Sequence, residues 1–219
     1  MAENFKGENN KALEEGCQAQ SLEYDTDNPQ PAAETSVVLP GTLADDGVDP
    51  TSLGSAFHEL AQIMVETQSK VDEQTIDRLC LKNSVPQRAI SRVKQALELW
   101  SNSAIRQAAL AHDVVIAESP FTLQVDSKYG NYVEGAIDLL AYNKGSKDAL
   151  VVDYKTGDKG LSATQIYEHH QMQANFYAYV LMQHGFTKVE CAFVCVEVEE
   201  AGQPHVARYT FDVNHQPRL

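Results

Sequence analysis

The sequence has no apolar run near the roughly 20 residues that a membrane-spanning helix requires. No apolar stretch follows a basic start in Met1–Lys6, so we expect neither a membrane anchor nor a secretory signal. Only 4 cysteines occur in 219 residues, which predicts reduced thiols in a cytoplasmic setting. The sequence also lacks a phosphate-binding Gly-x-x-x-x-Gly-Lys-Ser/Thr loop, which argues against an ATPase. It has neither the ligand spacing of a zinc finger nor the Ser-His-Asp arrangement of a serine hydrolase.

Positive charge is scarce as well. The chain has 17 Lys and Arg against 31 Asp and Glu, for a net charge of −14. This balance argues against a protein that binds nucleic acid alone through a broad basic surface. It does not exclude a nucleic-acid enzyme, because a metal site needs acidic ligands and a partner domain can supply the phosphate-binding surface. The composition therefore favours a module of a larger machine.

The N-terminal part differs in composition from the rest. Residues 1–50 show little hydrophobic periodicity and many helix breakers, as in Asp25–Pro31 and Asp45–Gly47. We interpret residues 1–50 as a flexible linker or arm and 51–219 as the ordered domain. Because such an arm usually follows other sequence, we expect the chain to be a fragment of a longer protein.

From residue 51 the hydrophobic spacing is first helical and becomes strand-like after Asp113. The predicted helices span 53–68, a segment after Pro86 with Ile90, Val93, Leu97 and Trp100 on one face, 104–112, and 162–183. The predicted strands span 114–117, 121–125, 132–142, 149–154, 189–198 and 205–213. This order predicts an α/β fold with a central mixed sheet flanked by helices.

Charged side chains end two neighbouring apolar strands. Asp153 and Lys155 project to the same side of one strand, because side chains alternate between faces. A hairpin would bring Asp138, which ends the preceding strand, next to Asp153. Two converging carboxylates form a hard oxygen site for Mg²⁺ or Mn²⁺, which would polarise a phosphate and lower the pKa of a bound water. Lys155 would stabilise charge on the phosphate or orient the water.

Asp138 with Asp153-Tyr154-Lys155 resembles the PD-(D/E)XK nuclease superfamily, which has an acidic residue on one strand and acid-x-lysine on the next. Five motifs resemble its RecB-like branch, and they occur in the family's order: Gly54–His58, Glu118–Phe121, Gly135–Asp138, Asp153–Gly157 and Gln173–Tyr177. They cover residues 54–177. The resemblance implies a restriction-endonuclease-like fold.

The resemblance also implies roles for single residues. The implied ligands of Mg²⁺, or alternatively Mn²⁺, are His58, Asp138, Asp153 and the backbone carbonyl of Tyr154. Asp138, Asp153 and Lys155 would be catalytic. Gln173 and Tyr177, four residues apart on one helix face, would position the DNA backbone. Glu118 would support the site.

Simpler interpretations remain open for each group. His58 could be an ordinary helix histidine, and Asp153 with Lys155 a surface ion pair of little energetic value. Gln173 and Tyr177 could be ordinary helix residues. For His169 and His170, the divergence of adjacent side chains on a helix predicts exposure to solvent rather than a second metal site.

The cysteines bear on a second cofactor. Some members of the superfamily hold an iron–sulfur cluster with one upstream cysteine and three downstream. Here only Cys191 and Cys195 follow the Gln173–Tyr177 motif, on one face of a predicted strand, where we expect them to pack as small apolar side chains. We therefore expect no iron–sulfur cluster.

The expected function is that of a magnesium-dependent exodeoxyribonuclease module of an AddA- or RecB-type helicase–nuclease in double-strand break repair and recombination. Its partners would be single-stranded DNA ends, a helicase domain in the same intact chain, and a second subunit. Two alternatives stay open: a stand-alone repair or RNA-processing nuclease of the same superfamily, and a non-catalytic DNA-binding module.

Overall fold

A computed structural model describes residues 48–127 and 130–218 of the chain, so the predicted arm lies outside the described residues except for its last three. The helices are α1 (Pro50–Glu66), α2 (Glu73–Lys82), α3 (Ile90–Ser101), α4 (Ala104–Leu110) and α5 (Ala163–Gln183), with a 3-10 turn at Gln87–Ala89. The strands are β1 (Val114–Ser127), β2 (Gly130–Tyr142), β3 (Asp148–Lys155), β4 (Lys188–Glu200) and β5 (Gln203–Asp212). None of these helices combines the length and apolarity needed to cross a bilayer.

The five strands form one mixed sheet in the order β1-β2-β3-β4-β5. Neighbouring strands are antiparallel except β3 and β4, which are parallel and are connected through α5. A parallel connection needs such a crossover, and a helix is its usual form. The predicted α/β fold with a central mixed sheet flanked by helices is confirmed.

Each face of the sheet packs against its own apolar cluster. Val152 and Tyr154 of β3 belong to the cluster that includes Phe57 of α1 and Trp100 of α3. Val151 of β3 belongs to the cluster formed with α5. Since side chains alternate along β3, residues 153 and 155 project toward the α5 side. The catalytic candidates of β3 therefore face α5.

Two helix boundaries follow from capping residues. Asp49 accepts a hydrogen bond from the Thr51 amide at 3.0 Å, and Pro50 occupies the first turn, so α1 begins three residues earlier than predicted. Ser162 caps α5 in a capping box with Gln165. Gly185, at φ 94°, follows the end of α5 in the left-handed conformation that glycine favours. The predicted boundaries of this long helix are confirmed to within one residue.

The structure corrects two predictions. The segments 114–117 and 121–125, predicted as separate strands, belong to the single strand β1. Pro120 does not interrupt β1, because β1 lies at the sheet edge, where a missing N–H group is tolerated. Helix α2 was not predicted, although Asp72 caps it by accepting from the Thr75 amide at 2.7 Å.

Candidate active site

Asp138 and Asp153 meet where β2 and β3 separate. The ladder between these strands ends at the pair Leu139–Val152, and its register continued by one step places Asp138 opposite Asp153. At this point Asp138 Oδ2 accepts a hydrogen bond from the Tyr154 amide at 2.7 Å. Asp138 is 9% exposed and Asp153 2% exposed. Two buried carboxylates thus lie side by side where the pairing of β2 with β3 ends.

His58 reaches this strand end from α1. Its Nδ1 lies 3.4 Å from Asp138 Oδ1, and its Nε2 lies 3.2 Å from the Tyr154 carbonyl oxygen. Gly54, one turn earlier, explains the spacing of the Gly-x-x-x-His motif. A Cβ atom at position 54 would lie 3.1 Å from Thr156 Oγ1, so glycine lets α1 approach the loop that follows β3.

Glu118 lies beside these groups because of a distortion in β1. Its neighbours pair regularly with β2, as Ala117–Leu139 and Ser119–Ile137, while Glu118 itself has a positive φ of 49°. This conformation costs a non-glycine residue on the order of 1–3 kcal/mol, and such residues concentrate at functional sites. One ligand atom each of Glu118, His58 and Asp138 lie within 4.8 Å of one another. Glu118, expected to support the site, is placed among the potential ligands.

Asp153 is held by two side chains of α5. Its Oδ2 accepts hydrogen bonds from Gln173 Nε2 and from the Tyr177 hydroxyl, each at 2.9 Å. Gln173 Nε2 also donates to the Tyr177 hydroxyl at 2.7 Å, and Gln173 Oε1 accepts from Lys155 Nζ at 2.9 Å. Gln173 and Tyr177, which were expected to contact DNA, therefore orient the carboxylate and the lysine in this structure.

Lys155 completes this group. Its Nζ lies 2.6 Å from Asp153 Oδ1 and 5.4 Å from the ring centroid of Phe193 on β4. The ammonium is thus fixed by a carboxylate, an amide oxygen and an aromatic face. Phe193 was not predicted as a residue of the site. Its spacing of two residues from both Cys191 and Cys195 could have placed it on the α5 side of the sheet.

The charges of the site perturb its titrating groups. Burial opposes protonation of His58, but the hydrogen bond and charge of Asp138, with the charge of Asp153, outweigh it and raise the pKa of His58 to about 9. Burial raises the pKa of Asp153 and of Glu118, and the Asp138 carboxylate raises both further. Burial lowers the pKa of Lys155, but Asp153 more than compensates, so this pKa lies above its ordinary value.

These groups fit a hard divalent cation. Ligands in adjacent positions of an octahedral Mg²⁺ site lie about 3 Å apart, and opposite ligands about 4.2 Å apart. His58 Nε2 lies 3.2 Å from the Tyr154 carbonyl oxygen, close to the spacing of adjacent ligands, whereas the 3.4 Å separation from Asp138 Oδ1 belongs to the other ring nitrogen, Nδ1. Asp153 Oδ1 lies 2.6 Å from Lys155 Nζ, so a cation bound by this oxygen would share it with the ammonium group.

The sequence matches the profile of the PD-(D/E)XK nuclease superfamily over residues 34–216. The chain belongs to this superfamily. No curated protein sequence matches it. Among solved structures it is similar to SSO0001, with a TM-score of 0.36 and 14% identity over 76% of this chain and 67% of that one. It is also similar to a "putative exonuclease" from Eubacterium rectale, with a TM-score of 0.41 and 13% identity over 74% of this chain and 60% of the other.

The two parts of the PD-(D/E)XK motif occupy adjoining positions in this structure. Asp138 lies within β2, next to the last residue of β2 that pairs with β3, and the acid-x-lysine residues Asp153 and Lys155 lie at the end of β3. Tyr154 connects them, because its amide binds Asp138 and its carbonyl faces His58. The Tyr154 backbone thus joins Asp138 and His58 in one hydrogen-bonded group, and its neighbours Asp153 and Lys155 belong to a second group with α5.

The prediction that His169 and His170 are exposed to solvent is wrong for His170. His169 is 43% exposed in its side chain, as expected, but His170 is buried and its Nε2 lies 2.9 Å from Asp158 Oδ2. The residue that buries it is Phe193, whose ring stacks on His170 with centroids 5.1 Å apart. A partner on another strand was not visible from the helix sequence alone. Cys191 and Cys195 are fully buried against α5, which confirms their expected packing.

Proposed function

We propose that this chain is a divalent-metal-dependent deoxyribonuclease that hydrolyses phosphodiester bonds with Mg²⁺, or alternatively Mn²⁺. The observation that carries the proposal is the convergence of His58, Glu118 and Asp138 beside the ion pair of Asp153 and Lys155. In this proposal Asp138, Asp153, His58 and the Tyr154 carbonyl hold the cation, as the family resemblance implies. Glu118 joins them as a ligand because of its position.

The bound cation would supply Lewis-acid chemistry, polarising the scissile phosphate and making a coordinated water more acidic. The chain's own residues supply the rest. Because nearby carboxylates raise the pKa of Lys155, its side chain is an ammonium group at neutral pH in the metal-free protein. We assign it to stabilising the charge that develops on a phosphate oxygen. Asp153 and Gln173 hold the ammonium in place for this role.

The proposal includes the RecB-like branch and the exonuclease module of a helicase–nuclease acting in double-strand break repair. Its support is the series of five motifs in order and the net charge of −14, which leaves DNA delivery to a motor domain or a second subunit. The substrate would be single-stranded DNA ends. Purified protein should therefore cleave single strands faster than duplex, and equal or faster cleavage of linear duplex would contradict the motor-fed assignment.

The decisive experiment measures cleavage of end-labelled single-stranded DNA with Mg²⁺ or Mn²⁺. Asp153→Asn and Lys155→Ala should each lower the rate by at least about 100-fold, as expected when charge stabilisation at a transition state is lost. Lys188→Ala is the matched control. Lys188 begins β4, seven residues before Cys195, which is the residue of β4 that pairs with Lys155, so it lies away from the candidate site. Uncleaved DNA with the parent protein, or equal cleavage by the variants, would favour the non-catalytic alternative.

The remaining alternative is a stand-alone nuclease that acts in repair or on RNA. It differs from the proposal in its substrate and its context, so the same assay with labelled single-stranded RNA separates the two. Preference for RNA would support the alternative. Helicase motifs upstream in the intact gene would support the helicase–nuclease assignment.

A further inference from the structure

A second group of metal-binding side chains lies outside the candidate active site. It consists of Asp158 in the loop between β3 and α5, with His169 and His170 of α5, and is called here the loop–helix cluster. His170 Nε2 lies 2.9 Å from Asp158 Oδ2, and His169 Nδ1 lies 3.7 Å from Asp158 Oδ1. One ligand atom from each of the three residues lies within 4.8 Å of the others. The cluster thus brings two imidazoles to one carboxylate.

Adjacent histidines converge here because they present different ring atoms. His170 reaches Asp158 with its distal Nε2, and His169 with Nδ1, which is nearer to its backbone. The two rings stack with centroids 4.5 Å apart, and His170 also stacks on Phe193 at an interplanar angle of 3°. Cys195 Sγ lies 3.3 Å from Asp158 Oδ2 and fixes that oxygen from the other side. The donor atoms are therefore oriented before any ligand binds.

The separations match those of a tetrahedral zinc site. Zinc bonds of about 2.0–2.1 Å to nitrogen and oxygen place neighbouring ligand atoms about 3.3–3.4 Å apart. The two separations, 2.9 Å to Oδ2 and 3.7 Å to Oδ1, lie on either side of this value, so an ion between the imidazoles would bind both oxygens of Asp158 or one of them after rotation of the carboxylate. The half-exposed side chain of His169 leaves a path to solvent for the fourth ligand, a water molecule.

We propose that Asp158, His169 and His170 form a second metal site that binds Zn²⁺ or a chemically similar transition-metal ion. Two imidazoles and one carboxylate favour such an ion over Mg²⁺, which prefers oxygen ligands and keeps several waters. The contact with His170 alone would give the buried carboxylate a partner. The second imidazole, aimed at the other carboxylate oxygen, is the feature that a simple ion pair does not explain.

The site would stabilise the part of the fold that carries the catalytic candidates. Asp158 lies three residues after Lys155, and His170 lies three residues before Gln173. A bound ion would therefore fasten the loop that follows β3 to the helix that orients Asp153. Zinc binding should raise the melting temperature of the full chain, because a ligand that binds only the folded state stabilises it.

The test is calorimetric titration of Zn²⁺ into the full chain, stripped of metal, in a His58→Ala background. That substitution removes the imidazole of the other candidate site. One equivalent of Zn²⁺ should bind, and adding His169→Ala should weaken binding by at least about 100-fold, because a direct ligand is lost. His169 is half-exposed, so its replacement is compatible with folding, which the urea-unfolding midpoint checks.

His215→Ala is the matched control, because His215 forms a surface pair with Asp212 at 3.2 Å without a second imidazole. It should bind Zn²⁺ as tightly as the background protein. Co²⁺ provides an independent readout, since its visible absorption in a tetrahedral site should appear in the background protein and disappear with His169→Ala. Absence of Zn²⁺ binding in the His58→Ala protein, or equal binding with and without His169, would overturn the proposal.

Discussion

Removal of one hydroxyl group, in Tyr177→Phe, isolates how α5 holds the buried carboxylate of Asp153. The hydroxyl donates to Asp153 Oδ2 at 2.9 Å and accepts from Gln173 Nε2 at 2.7 Å. Hydrogen bonds to charged groups contribute about 1.5–3 kcal/mol, so the substitution should lower the free energy of unfolding by about that amount. The phenyl ring keeps its packing against Phe121 and Phe193, so no cavity term is added.

Urea unfolding in the presence of a chelator measures this change, and the slope with urea concentration should stay constant. Tyr179→Phe, on the same helix, is the matched control, because the Tyr179 hydroxyl makes no hydrogen bond to residues in the described ranges. It should lie within about 0.5 kcal/mol of the parent. Equal stability of the two variants would refute the role of the Tyr177 hydroxyl. A fall in Mn²⁺ affinity of about 10- to 100-fold should accompany the loss of stability, since Asp153 loses an orienting partner.

Four further predictions follow from burial and charge. His58 must lose its proton to bind a cation, so at neutral pH each bound Mn²⁺ should release about one proton. The Mn²⁺ affinity should rise up to about tenfold per pH unit until pH 9 is approached. Calorimetry in two buffers measures the proton release, which His58→Gln should abolish. In metal-free protein the same raised pKa stabilises the fold below the unfolded-state pKa of 6.5, and this contribution is lost as pH rises through about 9. Burial, followed by nearby carboxylates, raises the pKa of Cys191 and Cys195, so neither should react with iodoacetamide before unfolding, as peptide mass mapping would reveal. Glu197→Gln should destabilise the protein by on the order of 2–3 kcal/mol in urea, because the Glu197 side chain, only 4% exposed, pairs with Arg92 at 2.9 Å. A change within about 0.5 kcal/mol of the parent would contradict this.

The sequence predicted those features that depend on local spacing. Alternation along a strand placed Asp153 and Lys155 on one side of β3, and the structure has both facing α5. The long helix was predicted over 162–183, and the structure has it over Ala163–Gln183. These signals lie within a few residues of the feature that they specify. For that reason a single sequence was enough to recognise them.

Features that depend on distant partners were not predictable in the same way. The burial of His170 depends on Phe193, which arrives from β4. Glu118 joins the potential ligands through a positive φ, and no glycine or asparagine in the sequence marks that conformation. Pro120 interrupts the hydrophobic pattern of β1 without ending the strand. Gln173 was identified from its motif, but its contacts with Asp153 and Lys155 required the packing of α5 on the sheet.

The histidine contributed by α1 contacts Tyr154 across 96 positions of sequence, whereas the α5 contacts to Asp153 span only 20 and 24. The strand–helix part of the site can therefore assemble within a short stretch of chain, and the imidazole is added only when the N-terminal helical layer docks. Closing the longer loop carries the greater entropic cost. A cation bound by both parts would stabilise only the completely folded chain, so partly folded chains would lack the complete metal site and its hydrolytic activity.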